Sequence, residues 1–337
     1  MLPTLLELVR YLQDEQKKAL SWSEKNFGIL EDGHFSAMAI SESEFVLMPP
    51  PEFGALIYRG QNQYFEPCLA SLYRKKTNSV ERLINMIRLA EFELLLTAHP
   101  AVKDCMEWSL MGLSFKVDFE ALAQHYLLQT SLLDFSSNPL VAAFFACCEF
   151  NKQDDHKYSP IISDKRPPGV LYSLNAAAEI SARPDNPRSG TIGLQPLPRP
   201  AEQYAWSYRL PRRTSLNSQP FLSKYEFIHS SKDSITIFET FERGTKLFPF
   251  DPVSEKAHQI VSSKCFSNDA LQLVIERSNG TVRQKSAMND LARKGFYIIG
   301  KQEIVFSQQE LTEIENDWDK LRPDLLSRIH WRNACYV

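Results

Sequence analysis

The chain has 337 residues, of which 43% are hydrophobic and 23% charged, with a formal net charge of −3. That is enough apolar material for a large core in one domain or two, and the near-neutral balance argues against broad electrostatic capture of duplex nucleic acid, leaving only a local basic patch. Twelve glycines, with no GxGxxG and no GxxxxGK[ST], argue against Rossmann and P-loop phosphate cradles, and six cysteines without a CxxC pair read as reduced thiols.

The opening MLPTLLELVRYLQDEQKK lacks the basic-then-apolar order of a signal peptide, and Leu5, Leu6, Val9 and Leu12 stand at helical spacing. No stretch reaches the roughly 18 apolar residues that span a bilayer, so a cytoplasmic protein without membrane contact is expected. Phe45–Met48 leads into Pro49-Pro50-Pro51, a rigid boundary. Ala55–Tyr58 reads as a buried strand ending at Arg59-Gly60, and residues 78–100 read as a helix. Asp118 is placed to cap a helix over FEALAQHYL, LLDF makes a short strand or turn, and Ser137 or Asn138 followed by Pro139 opens the helix LVAAFFACCEF. That helix is apolar on all sides, the mark of a core element.

Polar, proline-bearing stretches at 151–168 and 183–200 read as loops, and Val170–Leu174 as a strand. FLSKYEFIHSS, SITIFETF and ALQLVIER (residues 270–277) are expected as strands, Gln284–Lys294 as a helix ended by Gly295, and Gln309–Leu321 as a helix closing before Pro323. Strands and helices mixed irregularly in this way predict an α+β fold, a mixed or antiparallel sheet core with flanking helices.

Three clusters carry candidate chemistry. An arginine at a strand end followed by glycine, Tyr58-Arg59-Gly60-Gln61, either holds a phosphate, ribose or carboxylate or bridges to Asp134 or another carboxylate. His125 and Tyr126 precede a hydroxyl-rich turn, Thr130 to Asn138, that leads into a helix N-terminus able to meet an anion or simply to be capped. Glu202 and Gln203, followed by Tyr204 and Trp206, offer hydrogen bonding and stacking to a flat ligand, or ordinary strand packing. No His or Cys stands at ligand spacing to His125, so no metal is expected. The run Arg209, Arg212, Arg213 reads as a solvated loop.

Together these residues resemble the FRG domain. IYRGQNQYFEPCLASLYRK (57–75) is similar to that family's aromatic-Arg-Gly-Gln signature, and LAQHYLLQTSLLDFSSNPLVAAFFAC (122–147) to its second, His-Tyr-Gly leading to Thr-Arg-Leu-Leu-Asp-Trp-Thr and an Asn-Pro helix. Leu127 stands where the family has glycine, Ser131 where it has arginine, and Phe135 and Ser136 where it has Trp and Thr. The resemblance divides the chain into an extension (1–50), the FRG domain (51–305) and a closing helix and tail (306–337).

The motif order also resembles the Arg-Ser-Glu arrangement of ADP-ribosyltransferases. This implies NAD as substrate, with catalytic roles for Arg59, Ser131, Glu202 and Gln203. Tyr58, Gly60, Gln61, His125, Tyr126, Thr130, Asp134, Ser136 and Asn138 would then bind it. Arg59 would hold phosphate or ribose, and the acceptor, protein or nucleic acid, is left open. A toxin or defence effector follows from that reading; the alternative is a non-catalytic module for a nucleotide-like ligand or a partner.

Overall fold

The computed structural model describes residues 2–27, 34–50, 55–151, 157–183, 186–194 and 196–331. Pro51 of the expected boundary, parts of both polar loops and the last six residues lie outside them. The fold is α+β, and the chain divides into two compact units: residues 1–69, 133–249 and 328–337 form one, and 70–132 with 250–327 the other.

The first unit is built on a six-stranded sheet. Its strand order is Ser189–Thr191, Ala205–Arg209, Leu132–Ser136, Leu56–Gln61, Gly169–Asn175 and Leu222–Phe227. The Leu56–Gln61 strand is antiparallel to both of its neighbours. One face is covered by the Pro139–Cys147 helix, started by Asn138, whose side chain accepts the Leu140 amide, with Pro139 in the first turn. Val141, Ala142, Phe144 and Ala146 bury fully against Leu5, Val9 and Leu12 of the Leu5–Phe27 helix and against Phe227, Ile237 and Leu247. This is the expected core helix. A smaller layer in the same unit pairs Phe35–Ala39 antiparallel with Glu44–Met48 and parallel with Ile329–Trp331.

The second unit centres on the Ser79–Thr97 helix, opened by a capping box between Asn78 and Glu81. Its Leu83, Ile84 and Ile87 pack on Phe266, Leu271, Val274 and Leu291.

Two expected strands are helices. SITIFETF falls in the Ser231–Thr240 helix and its exit, where Ser230 caps and Ile237 and Phe241, four residues apart, enter the core. ALQLVIER lies in the Asn268–Arg277 helix, capped by Ser267, with Ala270, Leu271 and Val274 on one buried side. In both, burial at helical spacing overrides β-branched composition. The closing helix runs Gln308–Ser327 through Pro323; the backbone bond that proline removes is to residue 319, which is exposed, so the lost bond lies on the solvent side. Short strands at Lys157–Pro160 and Ser189–Thr191 interrupt the expected loops, and Pro198–Glu202 is a helical turn before the Ala205–Arg209 strand.

Candidate functional site

Side chains alternate across a strand, and the central strand of the first unit uses that alternation strictly. Tyr58 and Gly60 face the core helix. Tyr58 is fully buried and its hydroxyl donates to the Leu12 carbonyl at 3.3 Å. At Gly60 an added Cβ would stand 1.9 Å from the Ala142 carbonyl oxygen. The close approach this glycine permits is therefore that of the helix backbone. Arg59 and Gln61 project to the opposite face.

Arg59 is half-buried. Its Nη1 donates to the main-chain carbonyl of Asp134 at 2.7 Å, and its Nε is buried without a partner. Among the described residues no carboxylate pairs with it. In register beside Arg59 stands Tyr172, and beside Tyr172 stands Lys224. Strands lie about 4.8 Å apart, so the two cationic residues are separated by roughly 10 Å of backbone across the tyrosine.

Burial pushes the Tyr172 hydroxyl well above its ordinary value, so it stays protonated, and it donates to Asn217 Oδ1 at 2.8 Å. Lys224 is balanced already: its Nζ lies 3.1 Å from Glu226 and 4.3 Å over the Tyr64 ring. Close by, hydrogen bonds from Tyr64 and Asn217 hold the Glu66 carboxyl below its usual range. Gln61, buried, reaches the Cys68 thiol at 3.5 Å. Among the described residues, Arg59 is thus the one cation of this row without a countercharge.

Ser136 is in register with Tyr58, so it shares the core-helix face. Its hydroxyl donates to the Gln203 carbonyl at 2.8 Å and accepts the Asn138 amide at 3.0 Å. Gln203 is buried and donates to the Leu247 carbonyl at 3.0 Å. Glu202, its neighbour, is exposed. Ser136, Asn138 and Gln203 therefore assemble together, with the sheet between them and the Arg59 side chain.

The other sequence candidates belong to the second unit. Asp118 caps the Phe119–His125 helix as expected. Tyr126 is buried against Phe92 and donates to Asp251 at 3.1 Å. Ser131 gives both its amide and its hydroxyl to Glu120, at 3.0 and 2.7 Å. The Thr130 hydroxyl bonds Gln124 and accepts the Leu132 amide at 3.1 Å. His125 is buried as well.

The model of the FRG domain family matches residues 54–155. Those residues are an FRG domain. No curated protein and no solved structure matches the chain. The FRG segment contains Arg59 and the turn from Thr130 to Asn138, whereas Tyr172, Gln203 and Lys224 come from beyond it. Leu127, at the family's glycine position, has a left-handed φ of 68°, the conformation in which glycine alone is unstrained. Sequence reading missed Tyr172, Asn217 and Lys224. Two of these lie on strands it recognised, but only register sets them beside Arg59.

Among the described residues, no three His, Cys, Asp or Glu side chains gather as metal ligands, and no helix is long and apolar enough to cross a membrane.

Proposed function

We propose that this FRG protein binds an anionic, nucleotide-like small molecule on the sheet face bearing Arg59, with NAD as the candidate ligand. One observation carries the reading: a half-buried guanidinium whose one bond among the described residues is to a main-chain carbonyl, with Nε buried and unpartnered. An always-charged group in that setting gains most from a phosphate or carboxylate, which arginine grips through paired N–H bonds. Tyr172 and Gln61, which flank it, are uncharged and bonded to Asn217 and Cys68, so neither competes with the guanidinium for an anion. The proposal sets the chain in the cytoplasm, where its thiols stay reduced.

Binding without turnover is the primary form of the proposal, because the hydroxyls of Ser131 and Ser136 and the Gln203 amide are already committed to protein partners. ADP-ribosyl transfer, in a toxin or defence effector, is the second reading. Its support is the exposed carboxylate of Glu202 alone, since the adjoining Gln203 lies across the sheet from the Arg59 side chain. Positive charge builds on the anomeric carbon as nicotinamide leaves, and a nearby carboxylate stabilises that transition state.

Calorimetric titration with NAD tests the site. The wild-type chain should bind and Arg59→Ala should bind at least about tenfold more weakly, in keeping with the roughly 1.5–3 kcal/mol of a hydrogen bond to a charged group. Equal affinity of the two proteins would refute the site. Incubation with lysate and NAD labelled in its ADP-ribose part separates the readings: nicotinamide release with label passed to an acceptor, both abolished by Glu202→Gln, establishes transfer, and binding without release establishes the module.

A further inference from the structure

The second unit contains a feature the proposed ligand site does not use. The Asn268–Arg277 helix and the Gln284–Arg293 helix are joined by six residues, with Asn279 and Gly280 both at left-handed φ. The first helix is anchored: Ala270, Leu271 and Val274 are buried, and Arg277 grips Glu93 of the Ser79–Thr97 helix through two bonds of 2.6 and 2.7 Å. The second helix buries only Ala287 and Leu291. Lys285, Asn289 and Arg293 follow one another at four-residue intervals on its opposite side, and all three are exposed.

Arg283 and Lys294, also exposed, bracket the helix. Residues 282–294 therefore carry four cations against a single carboxylate, Asp290, in a chain whose net charge is −3. Asp290 sits at the edge of this face and pairs with Arg293 at 3.2 Å. The nearest other acid in sequence, Glu276, belongs to the end of the anchored helix.

From this juxtaposition we infer that the Gln284–Arg293 helix is a contact surface for duplex DNA. The first helix is fixed to the unit and the second presents a straight row of Lys, Asn and Arg. Lysine and arginine neutralise phosphates, while asparagine and arginine are the side chains that pair in two-pronged fashion with adenine and guanine edges. A helix fits the major groove of B-form DNA, whereas the groove of duplex RNA is too deep and narrow for side chains to read. The local patch satisfies what the overall charge forbids to the chain as a whole.

Fluorescence anisotropy of the full chain with a labelled DNA duplex of about 20 base pairs tests this. Non-specific binding in the range of about 10⁻⁴–10⁻⁶ M is expected, weakening steeply with added salt. The double variant Lys285→Glu, Arg293→Glu should bind at least about tenfold more weakly and with a shallower salt dependence. The variant Lys17→Glu, Lys18→Glu makes the same charge change at two exposed lysines of the Leu5–Phe27 helix and should match wild type. The inference is overturned by no binding at about 100 µM protein, by equal losses in both double variants, or by tighter binding of duplex RNA than of DNA. Circular dichroism confirms that each variant is folded. Because Arg59 lies in the other unit, failure of NAD binding and failure of DNA binding are separate results.

Discussion

Replacing Gly60 by alanine tests the packing that decides which way Arg59 points. The added Cβ would lie 1.9 Å from the Ala142 carbonyl oxygen and 2.9 Å from both the Ala142 carbonyl carbon and the Ala146 Cβ. An unstrained carbon–oxygen contact needs about 3.3 Å, so strand and helix would have to part by more than about 1 Å. The clash involves main chain on both elements, and no rotamer relieves it. Overpacking a core costs about 1–3 kcal/mol, and a rigid contact of this kind belongs near the upper end. Alanine offsets about 0.4–1 kcal/mol of that by restricting the unfolded chain. The expected loss is therefore about 2 kcal/mol, or roughly 4–8 °C in Tm. Urea and thermal unfolding measure it, with Gly300→Ala as control, since nothing lies within 4 Å of a Cβ there. A Gly60→Ala protein as stable as wild type would show that the helix does not sit against the strand at this distance, and the assignment of Arg59 to the opposite face would lose its basis.

Three further outcomes follow from particular residues. Leu127 is 44% exposed and holds φ at 68°, so Leu127→Gly should raise stability by about 0.5–1 kcal/mol, and a lower urea midpoint would contradict the strain. His99 is buried edge-on to Phe306, and burial lowers its pKa to about 4. Its unfolded value is about 6.5, so the unfolded chain takes up the proton first, and stability present above pH 6.5 should fall by about 3 kcal/mol as pH drops from there to 4. His99→Phe should flatten the urea midpoint over that window, and an unchanged slope would exclude His99 as its source. Asp104 accepts from the indoles of Trp108 and Trp318 at 3.0 and 3.1 Å and from Arg322 at 2.7 Å. Asp104→Ala should cost about 2 kcal/mol and change the near-ultraviolet dichroism of the paired indoles, whereas an unaltered spectrum would mean the carboxylate does not hold them.

Local signals in the sequence were informative wherever one short segment carried the physics. Asp118, Asn138 and Pro139 announced helix starts because capping acts within three residues. The LVAAFFAC run announced its burial because no side of it is polar. Where a segment's own residues were ambiguous, as in SITIFETF and ALQLVIER, burial of every third or fourth position decided for helix against β-branched composition. Ser131 and Ser136 were legible as polar groups in a turn; their engagement with Glu120 and Gln203 was not, because those partners lie 11 and 67 residues away.

By itself the sequence determined the α+β class, the core helix and the FRG signature around Arg59, all properties of contiguous residues. Only the tertiary structure decided that Tyr58 and Gly60 turn inward while Arg59 turns away, beside Tyr172 and Lys224 on strands more than a hundred residues distant. The reason is physical: strand period sets alternation, but which face is buried and which strands meet depends on the long-range packing of the helix that Gly60 admits.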